Sequence, residues 1–209
     1  NITTGIGEIS ADVYLKDAQI VRLDGSTNLN NVSIIKDTFK TLKINNLNCF
    51  FDVNYLNSLA QINLKNLSLM VDGSSLESLN LKANFDSSDQ LNAISFDINE
   101  TDLSSISQLS QYFPDNLNFL KEPIKKLSPT GKISNVKLNW EKEDNFFRGL
   151  ELKMDAQNIS IKPLNGYPGL KNLSAIFNIS KNEGSLQINS KDLVVIENDT
   201  FRQPIKFDQ

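Results

Sequence analysis

Leu76-Glu-Ser-Leu79-Asn-Leu81-Lys-Ala83-Asn-Phe85 decides the fold. From Leu79 onward every second residue is apolar, and Asn80, Lys82 and Asn84 fill the places between. A period of two marks a β-strand with one apolar and one wet face, which is how antiparallel sheets behave. The stretch has a second copy, Leu170-Lys-Asn-Leu173-Ser-Ala175-Ile-Phe177-Asn-Ile179, 94 residues further on. Asn66-Leu-Ser-Leu69 before the first copy returns as Asn158-Ile-Ser-Ile161, 92 residues on, and Asp102-Leu103 after it returns as Asp192-Leu193, 90 residues on. The copies cover about 60–103 and 150–195. They repeat strands and repeat no reactive residue, which points to a surface or a conduit rather than a catalyst.

The alternation spreads outward from these copies. Ile94, Phe96 and Ile98 share a face, as do Val136, Leu138 and Trp140, and Leu150, Leu152, Met154 and Ala156. Near the N-terminus Ile9, Ala11, Val13 and Leu15 alternate, as do Leu42 and Ile44; these predict strands whose pairing is left open. Turn residues stand at Asp72-Gly73, Asp86 to Asp89, Asn165-Gly166, Pro168-Gly169 and Asn182 to Gly184. Such punctuation suits a meander of hairpins.

Two slips interrupt the period. Apolar positions are even at Ile62 and Leu64 but odd at Leu67 and Leu69; they are even at Met154 and Ala156 but odd at Ile159 and Ile161. A one-residue slip turns every later side chain to the wrong face unless a bulge absorbs it. A bulge or sharp bend is therefore predicted near Asn66 and near Asn158.

Residues 101–127 follow another rule. Leu103, Ile106, Leu109, Tyr112 and Phe113 recur at spacings of three and four, as do Leu117, Phe119, Leu120, Ile124 and Leu127. That predicts a two-helix insert. Thr101 or Asp102 is the expected N-cap, Pro114 the expected stop, Asp115 a start for the second helix, and Pro123 a cause of a late start, bend or break. The fold class is mainly β: an elongated, curved antiparallel sheet, groove-like, carrying this insert.

Composition narrows the function. The 209 residues carry a net charge of −4, with no basic run, so nucleic acid is not an expected partner. The absence of histidine removes the commonest general base and every His-containing metal site. Cys49 is the single cysteine, set in Asn-Cys-Phe-Phe, and reads as a small buried hydrophobe. Glu141, Glu143 and Asp144 read as a solvated hairpin tip, Asp86 and Asp89 lack a calcium-loop spacing, and the Gly-containing turns match no phosphate loop. No enzyme, cofactor or metal is expected. The 27 asparagines, with Lys outnumbering Arg, read as an AT-rich coding bias. The opening Asn1-Ile-Thr-Thr, without Met, signal peptide or long apolar run, suggests one elongated domain cut from a longer protein.

The remaining signal is the apolar face. Alternation alone leaves two uses open: a core covered by a second layer, the commoner case, or a trough left open for acyl chains.

The C-terminal motifs add to this. Pro129-Thr-Gly131-Lys-Ile-Ser-Asn-Val-Lys-Leu-Asn-Trp140 is followed by Gly166-Tyr-Pro-Gly-Leu-Lys-Asn-Leu-Ser174, by Gly184-Ser-Leu-Gln-Ile-Asn-Ser190 and by Phe201-Arg-Gln-Pro-Ile205. Their order and spacing resemble the large bacterial AsmA-like proteins of the YhdP type, over roughly Pro129 to Pro204. The resemblance implies a Gram-negative periplasmic segment, its parent anchored in the inner membrane, that carries glycerophospholipid toward the outer membrane along an apolar groove. On that reading phospholipid acyl chains are the partner, with other envelope proteins as further partners. The groove would be lined by Leu79, Leu81, Phe85, Ile94, Phe96, Leu138, Trp140, Leu152, Met154, Leu173 and Phe177. The alternative is a structural or adhesive module that binds protein through strand edges.

Overall fold

The computed structural model describes residues 2–34, 42–56, 59–88, 90–112, 118–143, 149–164, 167–196 and 204–207. The chain runs β1 (Ile2–Lys16), β2 (Gln19–Ile34), β3 (Leu42–Leu56), β4 (Leu59–Val71), β5 (Ser74–Phe85) and β6 (Leu91–Asp102). Helices α1 (Leu103–Leu109) and α2 (Asn118–Leu127) follow, then β7 (Thr130–Glu141), β8 (Leu150–Ile161), β9 (Gly169–Ile179), β10 (Gly184–Ile188), β11 (Leu193–Ile196) and β12 (Ile205–Phe207). The strands form an open antiparallel sheet in sequence order up to β9, with β11 and β12 next and β10 also pairing β9. The repeat is visible as β4 and β5 against β8 and β9.

Two compact units divide the chain. The first is Asn1–Asn99 with Lys137–Glu151 and Ser180–Asn182; the second is Glu100–Val136, Leu152–Ile179 and Glu183–Gln209. The insert belongs to the second. Asp102 stands at the N-cap of α1 but its side chain makes no capping bond, and α1 ends in a single 3-10 turn, Ser110–Tyr112, shortly before Pro114. The second helix is described from Asn118 and continues through Pro123 rather than breaking there. Asp115 and the turn at Asn165-Gly166 lie outside the described residues.

Tight turns set the hairpins of the first unit. Asp17 and Ala18 have φ of 51° and 63°, and Asp72 and Gly73 have 48° and 82°. Two successive left-handed residues match the twist of the strands they join. At the β5–β6 turn the Asp86 carboxylate accepts from the Ser88 hydroxyl at 2.6 Å and from the backbone N–H groups of Ser88 and Gln90 at 2.9 and 3.0 Å.

The expected bulges are present at Asn66 and Asn158, each with φ of 52°. The register breaks between Leu64 and Leu67 and between Ala156 and Ile159. The extra residue restores the face: Leu64 opposes Leu81 and Leu67 opposes Leu79, while Ala156 opposes Ala175 and Ile159 opposes Leu173. Both copies fix the bulge the same way. The Asn66 N–H donates to Asn80 Oδ1 and the Asn158 N–H to Ser174 Oγ, each at 3.0 Å.

This device is more widespread than the two slips suggested. Asn31, Ser78, Asn135 and Asn172 are also left-handed, each third in a run that begins and ends apolar: Leu29 to Val32, Leu76 to Leu79, Ile133 to Val136 and Leu170 to Leu173. Asparagine tolerates this conformation better than other residues with a Cβ. Part of the asparagine excess therefore has a structural post, beyond any coding bias. Gly131, from the Pro129-Thr-Gly motif, has φ of +107°, and a Cβ there would stand 2.6 Å from the Asn158 carbonyl oxygen. Only glycine lets β7 pass so close to the β8 bulge.

Candidate functional site: an apolar sheet face

Residues directly opposed on paired strands share a face. In the first unit one row runs Val13, Leu23, Val53, Ile62, Ala83, Ile94 across β1 to β6. The next runs Ala11, Gly25, Phe51, Leu64, Leu81, Phe96. Twelve positions in two adjacent rows carry no polar side chain. A Cβ on Gly25 would run into the Ser10 carbonyl oxygen of β1 and lie 2.9 Å from the Phe51 ring, so the glycine makes room for both the neighbouring backbone and the aromatic. Ile9, Thr27 and Cys49 begin a third row. Burial pushes the Cys49 thiol above its ordinary pKa, consistent with a packed hydrophobe.

The face is only partly covered. Leu23, Phe51, Val53, Ile62, Leu64, Leu81, Ile94 and Phe96 are half-buried, while Ile9 and Val13 are 64% and 53% exposed. Among its described residues the first unit contains strands alone, so no second layer of its own covers this face. An apolar surface of this extent, left half-wet, marks a contact site.

The eleven expected lining residues are distributed over both units. Leu81, Ile94 and Phe96 sit in the two long rows; Phe85 opposes Ala60 and Leu91 at their edge. Leu138 and Trp140 share a half-buried face of β7. In the second unit Met154 opposes Phe177, which opposes Leu186; Leu152 opposes Ile179. Leu79 and Leu173, at matching places beside the bulges, are each 7% exposed and so are packed rather than open. The expected set includes none of the residues that β1 to β3 add to this face. Their signal was present in the strict alternation of Leu47, Cys49, Phe51, Val53 and Tyr55.

The opposite face of the first unit is hydrophilic. Its matching row reads Asp12, Asp24, Asp52, Asn63, Lys82, Ser95. Three adjacent carboxylates repel one another. Arg22 relieves this, pairing its Nε with Asp24 at 2.9 Å and its Nη2 with Asp52 at 3.0 Å. Asp52 also accepts from Asn54 and Asn63, which ties β2, β3 and β4 together in register.

Among the described residues, no group of three or more Cys, Asp or Glu is placed to hold a metal ion, and no helix is long and apolar enough to cross a membrane. Comparison with curated proteins and with solved structures gave no match. The family model described as YhdP protein matches residues 1–209, including the N-terminal strands that carry no recognisable motif. The chain belongs to the YhdP family.

Proposed function

We propose that this chain is a segment of a periplasmic bridge that carries glycerophospholipid between the inner and outer membranes, its parent anchored in the inner membrane. The single observation behind this reading is the pair of six-residue apolar rows on a face that its own unit leaves half-exposed. Acyl chains lie against the rows while headgroups stay in water. Each methylene removed from water contributes ~0.8 kcal/mol, so a long chain gains affinity without any specific contact. The mechanism is passive: no bond is made or broken, and no residue acts as a catalyst. Membership of the YhdP family supports the same role.

Native mass spectrometry of protein purified without detergent tests it. Phospholipid should co-purify with the wild type. Val13→Asp changes an exposed member of the first row, so the sheet should survive while lipid occupancy falls. A folded variant, shown by unchanged circular dichroism, that retains the full lipid load would sink the proposal.

A further inference from the structure

The hydrophilic face of the first unit carries a hollow of about 390 Å3 that a lipid conduit does not use. Its origin lies in the register. Ser10, Ser26, Phe50 and Lys65 oppose one another across β1 to β4, so two small hydroxyl residues lie beside a large ring. The serines form a floor, Phe50 a wall, and Asp12, Arg22 and Lys65 a rim. Phe50 is 56% exposed on a mainly polar face whose other exposed large side chains include Tyr14, Arg22 and Met70. Core packing does not explain an aromatic ring held there. The Arg22 guanidinium lies 5.4 Å from the Tyr14 ring centroid and is fixed by Asp24 and Asp52, so one side of the rim is rigid.

The charge balance selects the ligand class. Asp12, Asp24 and Asp52 are set against Arg22 and Lys65, close to neutrality, which favours neither a polyanion nor a polycation. A neutral ligand with one flat C–H face and a rim of hydroxyls suits an aromatic wall beside serines, a carboxylate and an ammonium. We infer that this hollow binds a pyranose ring of a neutral saccharide, stacked on Phe50 and hydrogen-bonded by Asp12, Ser10, Ser26 and Lys65. Most of its lining lies on the face opposite the apolar rows, although Ala11, Gly25 and Phe51 of the second row also border it.

The test is a two-dimensional amide NMR titration of the whole chain with neutral tetrasaccharides of glucose and of N-acetylglucosamine. Weak binding, with Kd on the order of 1 mM, should shift the amides of Ser10, Asp12, Ser26, Phe50 and Lys65 together. Phe50→Ala removes an exposed ring and should weaken binding about tenfold or more. Ser26→Leu, which fills the hollow, is the second variant and should abolish the shifts. No shift with either sugar up to about 10 mM overturns the proposal, as do shifts that survive both substitutions. Equal shifts with glycerol phosphate would also overturn it, since they assign the hollow to a phosphate carried by Arg22 and Lys65.

Discussion

At Asn158 the backbone, not the side chain's surface chemistry, decides which residues are allowed. Its φ of 52° costs a β-branched residue on the order of 1–3 kcal/mol, and glycine little. Asn158→Val should therefore lower stability by about 1–2 kcal/mol in urea unfolding, and Asn158→Gly by much less. Equal losses would mean the side chain, and not the left-handed backbone, holds the bulge. Asp86 makes a different kind of residue-scale argument. The Ser88 hydroxyl bond, then the Gln90 and Ser88 backbone bonds, hold its carboxyl below the usual carboxylate range. A lowered folded-state pKa adds stability above the unfolded value of about 3.9 and loses it as pH falls through the folded one. The amides of Ser88 and Gln90 should titrate together with a midpoint below about 3.9, and Asp86→Asn should remove that titration. A midpoint at or above the ordinary value would show that the turn does not favour the charged form.

The strand is the scale at which the sequence was most legible, because period-two alternation records which face is wet. The bulges at Asn66 and Asn158 were readable for the same reason: each breaks the alternation inside a long strand. Those at Asn31, Ser78 and Asn172 were not. In Leu29 to Val32 and Leu76 to Leu79 the apolar residues stand three apart, a spacing that a single short run cannot distinguish from a strand boundary. Pairing of β1 to β3 was hidden because register depends on partners far away in sequence. The use of the apolar face was hidden too, since alternation reports a face and says nothing of what lies against it. A deletion tests the bulge as an element. Removing Asn66 leaves Lys65 next to Leu67, so β4 must either unpair on one side of the cut or turn Leu67, Leu69 and Val71 to the wet face. Since Val71 is 3% exposed, the loss should reach several kcal/mol in urea unfolding, well beyond Asn66→Gly. A deletion no worse than the substitution would show that the extra residue does not set the face.

For the molecule as a whole, one chromophore can report on acyl chains. Trp140 is the only tryptophan, it is half-buried on β7, and it shares a face with Leu138. If acyl chains lie along the apolar side of the sheet, bromine placed midway down the chain comes within quenching distance of the indole. Phospholipid brominated there should give a saturable loss of Trp140 fluorescence, larger than that from the same quencher on the headgroup. Headgroups in water stay farther from the ring, and the half-buried indole is shielded from them. Val13→Asp, on the row that ends at Ile94 of β6, should weaken the loss by lowering occupancy while leaving the unliganded emission unchanged. The two readings of the face give opposite results here. A surface reserved for a protein partner leaves the emission untouched by brominated chains even where mass spectrometry finds lipid bound, whereas a conduit quenches it in proportion to occupancy.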